Sequence, residues 1–128
     1  MNEAELAAGL PQTANYRYGD VVGDRLYVAG QVPVDGDNRV VGIGDVAAQA
    51  RQCIDNLRAL LAAHGFTTDD VHHLTVYVVG DHDALVTAWG GVSNAFHDNV
   101  PPATLLGVSV LGFTGQLVEV DAQIERAG

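Results

Sequence analysis

A chain of 128 residues, 48% hydrophobic and 17% charged, is long enough to bury one core and too apolar to be a disordered segment. Six basic residues against 16 acidic ones leave a net charge of -10, which opposes binding to a phosphate backbone and argues against a nucleic-acid partner. No run approaches the ~20 apolar residues of a membrane span, no basic segment followed by an apolar run suggests a signal peptide, and the single cysteine, Cys53, rules out an internal disulfide, so a cytoplasmic protein without membrane contact is expected.

Residues 1–15 have weak periodicity and include Gly9 and Pro11, so they are expected to form an N-terminal arm within a single domain spanning 1–128. Two strands are predicted over 16–20 and 25–32, with Val22-Gly23-Asp24 turning between them. Val34-Asp35-Gly36-Asp37-Asn38 has turn chemistry, because Gly and Asn accept positive φ and Asp bonds nearby backbone; a short strand around 39–41 should follow. Asp45 then caps the clearest helix. Val46, Ala50, Cys53, Ile54, Leu57, Leu60 and Leu61 recur at helical spacing, Gln49, Arg51, Gln52, Asp55 and Arg58 take the other face, and Gly65 stops it.

A strand rich in β-branched residues is predicted over 74–79, and a second helix, weakened by Gly90-Gly91, over 83–97. Strands over 104–110 and 117–124 close the chain, joined by Leu111-Gly112-Phe113-Thr114-Gly115. The order β-β-β-α-β-α-β-β predicts an α+β two-layer sandwich, a mixed sheet with both helices packed on one face. Leu26, Val28, Val76 and Val78 suggest more apolar sheet surface than two helices can hide, which predicts an oligomer.

Among residues that carry chemistry, Glu119 stands out. Glu119, Asp121 and Gln123 alternate with Val118, Val120, Ala122 and Ile124, so the polar set shares one strand face. That face is either solvated or the lining of a subunit cleft. In a cleft, partial desolvation would move the carboxylate towards general-base chemistry. Backbone N–H groups near Gly30 could hold a substrate oxygen, since glycine permits close approach. Tyr16 is either a hydrogen-bond donor to substrate or an ordinary strand aromatic, and Trp89 either core or a pocket wall favouring flat ligands. Arg17 and Arg25 are either surface residues or cations that could meet a substrate anion. The histidines lack metal-ligand spacing, so no metal is expected. Cys53 lies on an apolar helix face, where an inert thiol is the default. No nucleophile elbow, phosphate loop or dinucleotide fingerprint is present.

Several segments resemble one known family. Gly30-Gln31-Val32-Pro33 follows the strand Leu26-Tyr27-Val28-Ala29; Asp45-Val46-Ala47-Ala48-Gln49-Ala50-Arg51-Gln52 precedes Asn56-Leu57; Asp69-Asp70-Val71 leads into Leu74-Thr75-Val76-Tyr77-Val78; Pro102-Ala103 precedes Val118-Glu119-Val120-Asp121-Ala122. Together, over 16–124 and in this order, they resemble the Rid/YjgF family of imine and enamine deaminases. The resemblance implies a chorismate-mutase-like fold, a barrel-like homotrimer with clefts between subunits, and cofactor-independent hydrolysis of 2-aminoacrylate and related imines to 2-keto acids. Carried over by position, the cleft would hold Tyr16, Ala29, Gly30, Trp89, Thr104, Leu106 and Glu119, with Glu119, Tyr16 and Thr104 as the catalytic set and the others binding the small-molecule ligand. Thr104 stands where the best-known branch has an arginine clamping the substrate carboxylate. It is either a space-filling strand residue or a hydroxyl that orients a differently charged substrate. The alternative is a non-catalytic small-ligand-binding or interaction protein on the same trimeric scaffold.

Overall fold

Side-chain alternation along the last strand builds the core. Val118, Val120, Ala122 and Ile124 are buried, while Glu119, Asp121, Gln123 and Glu125 point to the opposite face. The structure, a computed structural model, describes residues 3–12, 16–97 and 99–127. Its elements run α1 (Glu3–Ala7), β1 (Gly19–Val22), β2 (Arg25–Val28), α2 (Val46–Ala63), β3 (Val71–Val79), α3 (His82–Phe96), β4 (Ala103–Val108) and β5 (Val118–Glu125). The sheet order is β1-β2-β5-β3-β4, with β3 and β4 parallel and the other pairs antiparallel. α2 and α3 pack on one face, giving the α+β two-layer sandwich with a mixed sheet.

Local chemistry sets the helices. The Asp45 carboxylate caps α2 by accepting from the Ala48 N–H at 3.0 Å, and Gly65, at φ 76°, ends it in a conformation that disfavours other residues. Ala50, Cys53, Ile54, Leu57 and Leu61 of α2 meet Ala88, Val92 and Phe96 of α3 and the inward valines of β3 and β5. α3 begins at an Asp81 cap, slightly ahead of the predicted start. Gly91 of its Gly90-Gly91 pair is explained by the close passage of α2: a Cβ there would lie 2.9 Å from Ala50 Cβ. Burial desolvates the Cys53 thiol and pushes its pKa far up, so it is inert.

Four expectations are corrected. The strand over 16–20 begins only at Gly19, and that around 39–41 shrinks to a bridge between Val34 and Val40. There the Asp35 carboxylate accepts from the Asp37 and Arg39 N–H groups and closes a tight loop instead; the Arg39 bond, foremost, holds the carboxyl below the ordinary range. Gln49 is fully buried rather than on the polar face: its Nε2 donates to the Gly42 and Gly115 carbonyls, and its Oε1 accepts from Leu117 N–H at 2.7 Å. Leu26, Val76 and Val78 lie under the helices, so they are core and give no argument for an oligomer. His64 Nε2 lies 2.7 Å from Glu5 Oε2, joining α1 to the end of α2; residues 1–2 and 13–15 of the expected arm lie outside the described residues.

Replacing Gln49 by leucine keeps the volume but strands two carbonyls and one N–H. Gln49→Leu should lower unfolding free energy by about 3 kcal/mol in urea titrations; a loss below about 1 kcal/mol would mean that water replaces the bonds. Tyr18 anchors a small cluster with Leu10 and Leu60. Burial, then Tyr16 and Glu5, push its hydroxyl up to about 12. A raised pKa means stability that is intact below about pH 10 and lost as pH climbs towards 12. Tyr18→Phe should therefore flatten the alkaline fall of the melting temperature; an unchanged slope would assign that fall to other groups.

Candidate functional site

The uncovered face of the sheet gathers the polar residues. Register places Glu119 opposite Tyr77, and Tyr77 opposite Leu106, across β5, β3 and β4; the next row is Asp121, Thr75 and Thr104. Directly opposed residues share a face, so Glu119, Thr104 and Leu106 stand on the side that the helices leave bare. β3 separates them: two strand spacings, about 10 Å, lie between the Glu119 and Leu106 backbones. Leu106 is 43% exposed and Tyr27, on the same face of β2, 51% exposed.

Glu119 is held from two sides. On one, Gln31 pairs with Val120 through N–H···O bonds of 2.7 and 3.0 Å, which brings Gly30 against the carboxylate. A Cβ on residue 30 would lie 2.6 Å from Glu119 Oε2, so this close approach requires glycine. On the other, Gln116 Nε2 donates to Glu119 Oε1 at 3.3 Å and to the Val118 carbonyl at 3.0 Å, while Gln116 Oε1 accepts from Phe113 N–H. Ala29 N–H donates to the Tyr18 carbonyl, and the Ala29 carbonyl accepts from Gln31 Nε2. A partly buried carboxylate with one oxygen bonded and the other against a bare backbone can accept a proton from water.

The remaining predicted residues are spread out. Tyr16 is half-exposed, meets Tyr18 edge to face at 6.5 Å, and lines a cavity of about 110 Å³ with Val32 and Phe113. Thr104 is exposed, with its hydroxyl 3.5 Å from His73 Nε2. Trp89 packs against the core from the helix side, so the sheet stands between it and Glu119. Arg17 pairs with Asp20 beside a groove of about 360 Å³ that reaches Ala29, and Arg25 sits over the Tyr27 ring. No group of three or more His, Cys, Asp or Glu side chains among the described residues is placed to hold a metal, and no described helix is long and apolar enough to cross a membrane.

With the fold and this geometry established, comparison with known proteins is decisive. Residues 8–125 match the family described as endoribonuclease L-PSP. The chain belongs to this family, the Rid/YjgF proteins. A RutC family protein of Saccharolobus solfataricus is 39% identical over 89 residues, covering 69% of this chain and 68% of that protein. The 2-iminobutanoate/2-iminopropanoate deaminase of Escherichia coli K12 is 40% identical over 63 residues, 49% of this chain and 48% of the relative. The chain spans about half the length of several curated relatives that it matches. The YjgF gene product of Escherichia coli superposes with a TM-score of 0.83 at 28% identity, over 94% of this chain and 95% of that one.

Within this Rid/YjgF chain, two residues of the Glu119 environment escape sequence reasoning. Tyr77 is its cross-strand neighbour, a relation set by register alone. Gln116 sits in a loop with no periodicity, and its burial depends on how that loop folds back. Gly30→Ala tests the contact. Crystallography of the variant should find the carboxylate turned away from Gln116 with the 29–31 backbone in place; an unmoved carboxylate would show that the backbone yields instead.

Proposed function

We propose that this Rid/YjgF chain is a cofactor-independent hydrolase of the imine and enamine deaminase type, acting in a cleft between subunits of a homotrimer. The observation that carries this reading is the Glu119 carboxylate, held between Gly30 and Gln116 on the one sheet face that no helix covers. A neighbouring copy laid along that face would desolvate the carboxylate. Glu119 then takes a proton from water, whose oxygen attacks the C=N carbon. Glu119 returns that proton to nitrogen and then passes the adduct's hydroxyl proton to the same nitrogen, so the adduct collapses to a carbonyl with loss of ammonia and Glu119 is regenerated as carboxylate. The backbone N–H of Gly30 holds the substrate oxygen, since those of Ala29 and Gln31 are already bonded within the fold; Tyr16 and Thr104 orient the substrate, and Leu106 lines the apolar side. Trp89 receives no role, since it packs on the helix side. The relative named 2-iminobutanoate/2-iminopropanoate deaminase supports the reaction class.

The family description names a ribonuclease, but the net charge of -10 and the engagement of Arg17, Arg25 and Arg39 with their own neighbours disfavour a phosphate backbone as substrate. Thr104 bears on substrate choice. A hydroxyl in place of a guanidinium gives up about 1.5–3 kcal/mol of charged hydrogen bonding, so carboxylate-bearing imines should bind one to two decades more weakly than they would to arginine. The same exposed, uncharged Thr104 favours the second reading, a ligand-binding protein without turnover.

The test couples an amino acid oxidase, which generates imines from a panel of amino acids, to detection of keto acid with and without the purified protein. Acceleration is expected. Glu119→Gln should reduce it by about a hundredfold or more while light scattering reports an unchanged oligomer. Full activity in that variant would remove Glu119 from the mechanism, and no acceleration across the panel would favour the binding protein.

A further inference from the structure

Far from Glu119, on the solvent side of the helical layer, α2 and α3 leave a groove of about 470 Å³, within the size range of small-molecule sites. Its walls carry Arg51, Asp55, Arg58, Thr87, Gly90 and Asn94. All six basic residues of the chain are arginines, and five have partners. Arg17 and Arg39 form ion pairs with aspartates, Arg25 and Arg126 lie over aromatic rings, and Arg58 donates to the Ala95 carbonyl. Among the described residues, the Arg51 guanidinium has no ion pair, hydrogen bond or ring contact, and neither does the Asp55 carboxylate one turn along. The two could pair at i, i+4 but do not, and a cation preceding an anion along a helix is the less favourable order for pairing.

Gly90 adds an independent observation. Gly91 is explained by its close approach to Ala50, whereas a Cβ on Gly90 would meet nothing within 4 Å. An interior helical glycine weakens a helix relative to alanine, yet packing does not require this one. Its effect is to keep the groove wall low beside two uncommitted opposite charges.

We propose that this groove is a binding site for a zwitterionic α-amino acid. The ligand carboxylate lies in the Arg51 fork, with Arg58, pinned to α3, as a flanking cation. The ammonium group bonds Asp55, and the side chain lies over Gly90 towards Thr87 and Asn94. The Asp55 carboxylate beside Arg51 selects a zwitterion over a simple anion. A surface of net charge -10 repels free anions but exerts no net force on a ligand whose charges cancel. The site is on the opposite side of the sheet from Glu119 and does not depend on the reaction proposed there.

The test is an amide NMR titration of the isotope-labelled full chain with L-leucine, L-glutamine, N-acetyl-L-leucine and L-leucinamide. Both free amino acids should shift the amides of Arg51, Asp55, Gly90 and Asn94, and the blocked compounds, each lacking one charge, should bind about tenfold more weakly or worse. Arg51→Gln and Asp55→Asn, both exposed positions, should each weaken L-leucine by a similar factor, while Glu119→Gln leaves it unchanged. Shifts confined to residues around Glu119, equal binding of N-acetyl-L-leucine, binding that survives Arg51→Gln, or no shift with either free amino acid would each overturn the proposal.

Discussion

The arrangement around Glu119 depends on one buried side chain. The Gln49 amide has no solvent exposure and spends both ends on backbone: two carbonyls accept from its nitrogen and one N–H donates to its oxygen. A buried amide without partners would be destabilising, so these bonds form together or the loop does not close over the helix. They fasten the first turn of α2 to residues 115–117, which carry Gln116, whose amide in turn reaches Glu119. Two turns further along, the Asn56 amide donates to the carbonyls of Val32 and Val34, just beyond Gly30. The helix most distant in chemistry from the carboxylate therefore fixes both segments that hold it.

The sheet divides the molecule into a packing side and a chemical side. From Leu74 onward in β3, past the irregularity at 71–73, and along β5, even-numbered positions point into the helices and make the core; odd-numbered positions carry Thr75, Tyr77, Glu119 and Asp121 on the bare face. The two sets differ by one residue of register, so a slip of one would exchange a valine core for a row of carboxylates. Register is thus held by the cost of burying charge as much as by the gain from burying valine. It is also the reason the candidate residues face outward together, where another copy of the chain or a ligand can reach them.

Much of this was legible in the sequence. Alternation in 117–124 and helical spacing in 46–61 are periodic signals, and both elements form with the predicted inward residues. The Asp45 cap and the Gly65 stop follow from local chemistry. Most of what failed was non-local, and one miss, at 39–41, was local turn chemistry. Gln49 looks like a surface residue by polarity but is buried because distant backbone supplies its partners. The predicted strand at 39–41 yields to a loop that Asp35 closes. Glu5 and His64 meet across 59 residues of chain that no short-range pattern connects.

By itself, the sequence determined the class of fold, the helix caps, the polar face of β5 and the family resemblance, because each rests on short local segments and their order along the chain. Only the tertiary structure decided that Gly30 touches Glu119, that Gln116 and Tyr77 belong beside it, that Trp89 lies behind the sheet, and that Arg51 and Asp55 face a groove without pairing. Those facts depend on register and on which loop covers which helix. Such relations are fixed by buried hydrogen bonds between remote segments, and a linear pattern carries no record of them.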